Sequence, residues 1–221
     1  MVDRAFSVAG TRDSALATNK VLRNTYMLLS LTLLFSGAMA AFAVMTNAPY
    51  MGLWTLLGYF GLLFATSALR NSAWGILMVF ALTGFMGYTL GPLLTAVLSL
   101  SNGSQIVTTA MFGTGAIFLA LSGYVLTTRK DFTFMGGFLM VGMLVIFLAA
   151  LGNIFFQIPA MSLAISAAVI LLMSGFILWE TSNIIHGGET NYIMATVSLY
   201  VSIFNIFQSL LMILGIFGGD D

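Results

Sequence analysis

The chain of 221 residues is 60% hydrophobic and 6% charged, which is outside the range of soluble globular proteins and typical of multi-pass membrane proteins. Its seven basic and seven acidic residues balance, so nothing in the charge indicates a nucleic-acid partner. Because the sequence has no cysteine, disulfides, iron–sulfur clusters and thiol catalysis are excluded. No cofactor is predicted.

Seven apolar segments are each long enough to cross a hydrocarbon core of about 30 Å, which takes roughly 20 helical residues. Helices are expected because lipid offers backbone polar groups no other partner, and the alternating polarity of a membrane barrel is missing. The predicted spans are residues 24–46, 51–69, 74–98, 106–127, 133–156, 160–182 and 192–217.

The basic residues all fall before the first span or in the connections after the second and fourth: Arg4, Arg12, Lys20, Arg23, Arg70, Arg129 and Lys130. Such residues favour the cytoplasmic side of a membrane. We therefore expect an all-α membrane protein, a seven-transmembrane-helix bundle with its N-terminus cytoplasmic and its C-terminus periplasmic. Residues 1–23 are predicted to form a cytoplasmic tail, and residues 24–221 the membrane domain.

The first span has a competing interpretation as a cleaved signal peptide, because Ala38-Met39-Ala40 resembles a small-residue cleavage site. The apolar run continues through Val44, and the charged leader is long for the basic region of a signal peptide. Both features favour a retained membrane span.

Catalytic motifs are missing from the sequence. A zinc-protease helix needs two histidines on one face, but His186 is the single histidine of the chain. A serine protease of the membrane needs a base beside its nucleophile, and no histidine lies within a predicted span. The sequence therefore predicts a protein that is not an enzyme.

Span three carries small residues at helical spacing, Gly84, Gly87 and Gly91, followed by Pro92. Small residues allow two helix backbones to approach closely. We expect this face to pack within one bundle; the alternative is that it joins two protomers.

Span seven has a polar stripe in which Ser198, Ser202, Asn205 and Ser209 recur at steps of four, three and four residues. At 100° per residue these side chains lie within about 60° of one another. A polar stripe in a membrane helix turns inward, either towards other helices or towards a water-filled cavity. The sequence supports both interpretations equally.

Span six contributes an acidic residue, Glu180, on the same face as Ser162 and Ser166. An ionisable group inside the membrane is a functional-site hypothesis by default, because it is costly there unless protonated, paired or hydrated. The alternative is a side chain that extends to the interface. Arg70 is the best available counter-charge, and its alternative role is simple anchoring at the cytoplasmic side.

These features resemble the transmembrane Bax inhibitor motif family over essentially the whole chain. The residues that carry the resemblance are Thr83-Gly84-Phe85, Leu90-Gly91-Pro92, Trp179-Glu180, Ile185-His186, Leu199-Tyr200 and Asn205-Ile206-Phe207. Residues 20–26, 126–131 and 180–192 are most similar to bacterial inner-membrane members of the family, which are known as modulators of the FtsH protease. The resemblance therefore implies a multi-pass protein of the bacterial inner membrane.

One function implied by the resemblance is a pH-sensitive leak of calcium or other cations. In the family this activity is linked to two aspartates in the last two spans, and here Glu180 takes the first position while Ser202 takes the second. A basic partner of that pair is matched by Arg70 to within one residue. Together with Ser198 and Asn205, these residues are the candidate pH-sensing or pore site. Because the second carboxylate is missing, the leak is the alternative function, with calcium or protons as its ligands.

The other implied function is binding to a membrane-bound, ATP-dependent protease of the FtsH type, which the chain would inhibit without being an enzyme itself. Such a protease pulls on a free cytosolic segment of its substrate, and residues 1–23 are the candidate segment. Its basic residues are Arg4, Arg12, Lys20 and Arg23. We expect this tail to engage the protease and the packed bundle to resist extraction.

Overall fold

The computed structural model describes the backbone of residues 2–218 and the side chains of residues 18–218. The described backbone forms eight α-helices and one short 3-10 helix, Thr133–Met135, and contains no β-strand. The helices are α1 (Val2–Met45), α2 (Leu53–Leu69), α3 (Ala73–Thr89), α4 (Gly91–Leu98), α5 (Gly103–Thr128), α6 (Gly136–Phe156), α7 (Pro159–Ile185) and α8 (Tyr192–Gly218).

Six segments of the described chain are long and apolar enough to cross a membrane: Thr18–Met45, Ala73–Leu98, Gly103–Thr128, Thr133–Phe156, Pro159–Ile185 and Tyr192–Gly218. The predicted all-helical membrane class is therefore confirmed. The second predicted span, residues 51–69, corresponds to α2, which has 17 residues. That length is at the lower limit for a helix that crosses a bilayer.

The third span is interrupted at Leu90, between α3 and α4. Gly91 and Pro92 follow the break, and a proline has no backbone N–H to donate to the preceding turn. Pro92 lies in the first turn of α4, where that missing donor costs nothing. The sequence motif thus divides one membrane segment into two helices.

The predicted boundary between tail and membrane domain does not coincide with a break in structure, because α1 is continuous from Val2 to Met45. The side chains of Arg4 and Arg12 lie outside the described residues. Lys20 and Arg23 are exposed, whereas Thr25, two residues after Arg23, is fully buried. The first span is thus part of the packed bundle, as expected for a retained segment.

Helix α8 is the centre of the bundle and packs against α1, α3, α5 and α7. Helix α2 packs on α3, and α6 packs on α7, so these two helices lie at the periphery. Tyr200 of α8 is 1% exposed; its hydroxyl donates to the carbonyl of Thr83 at 3.1 Å and lies 2.5 Å from the Ser36 hydroxyl. One phenol therefore links α8 to both α1 and α3.

The small-residue face of α3 and α4 packs against α1. A Cβ atom on Gly87 would collide with the backbone carbonyl of Ser36, and one on Gly91 would lie 2.7 Å from the Cβ of Ala43. Because the neighbour at Gly87 is backbone, it cannot move aside as a flexible side chain would. Packing within one bundle is confirmed as the role of this face.

The three connections that follow α2, α5 and α7 lie at one end of the bundle, tied together by polar side chains. Asn191 caps α8 by accepting from the N–H groups of Ile193 and Met194, and its amide donates to the Arg70 carbonyl at 3.0 Å. Ser182 accepts from the N–H of Phe132 at 2.8 Å. The basic connections thus share one end, as the sequence pattern predicts.

Candidate functional site

Helices α7 and α8 form an antiparallel hairpin with a constant register. The Ser198 hydroxyl lies beside the Glu180 carboxyl group, and further from the turn Ser166 donates to the sulfur of Met212 at 3.4 Å. In both pairs the two residues are equally far along the sequence from Glu189, which lies in the turn. The same register places Ser202 level with Phe176 and deeper in the bundle than Glu180.

Glu180 is buried in this hairpin, with 3% of its surface exposed. One carboxyl oxygen, Oε1, has no hydrogen-bond partner among the described residues. The alternative prediction, a Glu180 side chain that extends to the membrane interface, is therefore not what the structure shows. An unpaired carboxylate in such surroundings is costly, and the site therefore favours a proton, water or a cation beside Glu180.

Arg70 is not the counter-charge of Glu180 in this structure. Its side chain is exposed at the end of α2, a helix that packs on α3 rather than on α7. Glu189, in the turn between α7 and α8, accepts from the backbone N–H of Asn191 at 2.7 Å. The pairing of Glu180 with Arg70 stays a prediction.

Ser202 is buried on α8, and its hydroxyl donates to the backbone carbonyl of Ser198 at 3.0 Å. Ser202 is one helical turn from Ser198, which corresponds to about 6 Å along the axis. The side chain that directly faces Glu180 is thus Ser198, and the position matched by the family resemblance lies one turn deeper.

The polar stripe of α8 has two different environments. Ser202, nearer to the α7–α8 turn, is enclosed by protein. Asn205 and Ser209, further from that turn, line a cavity of about 320 Å³ between α6, α7 and α8. The cavity wall also includes Ser162, Ser166 and Gln208. Each of the two interpretations of the stripe therefore applies to one half of it.

An apolar layer separates this cavity from Glu180. Leu172, Phe176, Ile177 and Ile206 are buried and pack in one cluster with Leu139 and Met173. Val169 is the cavity residue of α7 nearest to Glu180, and the two are about 16 Å apart along the helix. No side chain of the cluster carries a charge, so an ion would have to cross a dry segment.

Sequence reasoning missed several polar groups around the site. Thr181 and Thr25 are fully buried with hydroxyls that have no partner among the described residues, and Thr25 lies on α1, which packs on both α7 and α8. Gln208 lies in the cavity wall although it falls off the predicted stripe. A search for all polar residues in the last two spans, not only those on one face, would have found Thr181 and Gln208.

The chemistry available at the site is that of a single carboxylate among hydroxyl groups. The described residues contain no cluster of three or more His, Asp or Glu side chains. Such a site can accept a proton or interact with a cation. Apolar helices, basic connections at one end and one buried acid together define a multi-pass integral membrane protein.

The chain belongs to the Bax inhibitor family, because the family model described as "Inhibitor of apoptosis-promoting Bax1" matches residues 18–219. The chain is 54% identical over 220 residues to "Modulator of FtsH protease YccA" of Escherichia coli K12, covering 99% of this chain and 100% of that protein. "Inner membrane protein YccA" of E. coli O6:H1 matches equally well. An uncharacterized protein of Pseudomonas aeruginosa is 56% identical over 202 residues, or 91% of each chain.

These similarities confirm the family that the sequence motifs indicate. With six membrane-spanning candidates in the described residues, they also identify a multi-pass protein of the bacterial inner membrane. The named relatives are described as a modulator and a membrane protein, and neither name is that of an enzyme.

Proposed function

We propose that this chain is a non-enzymatic inner-membrane protein that binds an FtsH-type membrane protease and inhibits it. The observation that carries the proposal is the 54% identity with the E. coli modulator over 99% of this chain. A similarity of that extent includes the N-terminal segment as well as the bundle.

The mechanism we infer has two parts, engagement and resistance. The helical segment of α1 before Thr18 offers the protease a stretch of chain outside the candidate span. The bundle then resists extraction, because pulling on α1 has to break its close contacts with α3 and the hydrogen bond between Ser36 and Tyr200. A substrate that is engaged but extracted slowly occupies the protease and thereby inhibits it.

Deletion of residues 3–17 tests this function while leaving Thr18, Lys20 and Arg23 in place to keep the orientation. We expect normal insertion, slower turnover of the truncated chain by the protease, and weaker inhibition of other substrates. The matched control carries residues 3–17 in scrambled order, which keeps length and composition. Turnover of the truncated chain at the rate of the full chain would contradict the proposal.

We also propose seven crossings, with the N-terminus cytoplasmic and the C-terminus periplasmic. The short helix α2 decides the number, because without its crossing the chain has six spans and both termini on one side. A reporter active only in the periplasm should be active after Asp221 and silent after Arg129. Activity that is equal after Asn47 and after Asn71 would mean that α2 does not cross.

The second candidate is a pH-sensitive leak of calcium or other cations, with calcium or protons as ligands. The cavity that Asn205 and Ser209 line supports it, because this cavity and Glu180 lie along the same helix pair. The apolar layer around Phe176 would be the closed gate of such a path.

The absence of native cysteine makes the gate testable by single-cysteine labelling. We expect Asn205→Cys to react with a membrane-impermeant thiol reagent, and Ser198→Cys to be protected. If the layer is a gate, Phe176→Ala should expose Ser198→Cys and give calcium flux in liposomes between pH 5 and 8. Protection of Ser198→Cys and absence of flux in the Phe176→Ala background would remove the leak as a function and leave protease binding.

A further inference from the structure

A second, larger groove of about 570 Å³ lies at the end of the bundle opposite the basic connections. It is formed by α4, the end of α6, the start of α7 and the end of α8. Helix α4 supplies an apolar wall with Leu93 and Val97, which Leu100 extends beyond the end of the helix, and the turn between α6 and α7 supplies a polar wall. None of the lining residues is charged. A ligand of this groove is therefore amphiphilic, and its contact with the wall is neutral.

The polar wall presents hydrogen-bond donors. The Asn153 amide donates one N–H to the Ser162 hydroxyl at 2.7 Å, and its oxygen accepts from the N–H of Ile158 at 3.1 Å. The second N–H of Asn153 and the hydroxyl hydrogen of Ser162 are thereby left for another acceptor. Gln157 is exposed at the end of α6, and its side chain makes no hydrogen bond within residues 18–218. The matching ligand carries neutral acceptors such as carbonyl oxygens.

The position of the groove favours a lipid as its ligand. Its lining includes the exposed side chains of Ala96 and Ile216, so it opens towards the surroundings of the bundle, which in a membrane are lipid. The groove also begins at the helix ends, at the depth where the polar region of a bilayer meets its hydrocarbon.

We propose that this groove binds a diacyl lipid from the leaflet on that side of the membrane. Its ester carbonyls accept hydrogen bonds from Asn153, Gln157 and Ser162, and one acyl chain lies against α4 and α8. Because the walls carry no charge, binding does not depend on the head group. The site is separate from Glu180 and does not rest on protease binding.

The location of the lipid is tested with the full chain in nanodiscs that contain a phospholipid with a photoactivatable acyl chain. We expect crosslinks concentrated in residues 93–100 and 211–216, with the same pattern for phosphatidylcholine and phosphatidylglycerol. Ala96→Trp, which fills the groove, should reduce these crosslinks at least about threefold. Ala41→Trp is the matched control, since Ala41 is also exposed near the same end of the bundle but lies outside the groove.

The carbonyl contacts are tested by comparing ester-linked and ether-linked photolipids with identical chains. The ester lipid should crosslink at least about threefold more, the factor that one membrane hydrogen bond of about 0.6 kcal/mol gives. In Ser162→Ala/Gln157→Leu, which keeps Asn153 as the remaining donor, this preference should fall while labelling by the ether lipid stays unchanged. This double variant also serves if Ala96→Trp fails to fold, because it changes only surface and cavity groups.

Crosslinks spread evenly over all exposed helix faces would show annular lipid only and would overturn the proposal. Equal labelling by ester and ether lipids in the unmodified chain would overturn it as well, since carbonyl recognition would be missing. A third contrary outcome is an Ala96→Trp chain that loses co-purification with the protease but keeps its lipid crosslinks. That result would assign the groove to a partner protein.

Discussion

The contact between α1 and α3 and the contact between α7 and α8 solve helix packing in different ways. In the first, Gly84 and Gly87 let the helices approach until a single added Cβ would collide. In the second, the helices carry polar side chains, and Glu180 and Ser198 meet between them. The first contact gains from dispersion between close backbones, and the second depends on hydrogen bonds and protonation.

The difference separates a rigid part of the molecule from an adjustable one. The α1–α3 contact has no titratable group in its closest approach, so pH cannot alter it. The α7–α8 contact holds a buried carboxylate at one end and a cavity of about 320 Å³ at the other. We therefore expect extraction resistance to reside in the first contact and any response to pH or ligands in the second.

Gly87→Ala should give the largest effect, because the new methyl group meets backbone atoms of Ser36 that cannot rotate away. Overpacking of this kind costs about 1–3 kcal/mol, occasionally more. The measurement is the free energy of unfolding in mixed detergent. Gly115→Ala is the control: no atom lies within 4 Å of its added Cβ, and alanine favours helix by about 0.8–1 kcal/mol. Equal stability of the two variants would contradict the close α1–α3 contact.

Introducing a second carboxylate on α8 tests which residue lies opposite Glu180. The structure places Ser198 there, whereas the family resemblance implies Ser202. Ser198→Asp faces Glu180 directly, whereas Ser202→Asp lies a turn deeper beside Phe176. Two adjacent carboxyl groups share one proton at low pH and repel each other when both ionise. The Ser198→Asp chain should therefore lose stability as the pH rises from 6 to 8, by up to about 1.4 kcal/mol per pH unit for each proton released.

The control for that experiment is Glu180→Gln, which removes the second charge without changing the size of the side chain. It should abolish the pH dependence that Ser198→Asp introduces, as followed by melting temperature in detergent. A stronger response in Ser202→Asp than in Ser198→Asp would show that the register of α7 and α8 differs from the one described here.

Tyr200→Phe tests the hydrogen bonds by which one phenol joins α8 to the α1–α3 contact. Loss of the hydroxyl removes its hydrogen bonds to Thr83 and Ser36 and leaves Ser36 without that partner. Hydrogen bonds between membrane helices average about 0.6 kcal/mol and reach about 1.7, so we expect a loss of stability in that range. Tyr50→Phe, at a site 83% exposed, is the matched control and should be neutral. A neutral Tyr200→Phe would mean that these two hydrogen bonds add nothing to the stability of the packed helices.

The sequence predicts the fold more completely than the site, for physical reasons that particular residues illustrate. Hydrophobic length defines a membrane helix, so six of the seven predicted spans are found as long apolar helices. Gly87 indicates close packing because only glycine allows it. The partner of Glu180 depends on the rotation of α7 relative to α8. The sequence pattern of either helix does not specify that rotation. Arg70 could be placed at the correct end of the bundle, but its distance from α7 depends on α2 packing outside α3.

The smallest effect is expected where the structure is most exposed, at the turn that precedes α6. The hydroxyl of Thr133 donates to Asp131 Oδ1 at 2.6 Å and its backbone N–H donates at 2.8 Å, and these bonds lower the pKa of the Asp131 carboxyl below its ordinary value. Because the folded pKa is the lower one, the stabilisation is fully present above the ordinary pKa of aspartate. It is lost as the pH falls through the folded value.

Acidification from pH 6 to pH 3 should therefore lower the melting temperature slightly more in the unmodified chain than in Asp131→Asn. The asparagine side chain still accepts hydrogen bonds but does not titrate. Melting temperature at both pH values is the measurement. Since Glu180 and Glu189 lie near α8 rather than in this turn, their contribution is common to both chains and cancels in the comparison. An Asp131→Asn chain with an undiminished response would show that the hydrogen bonds of Asp131 add no acid-sensitive stability.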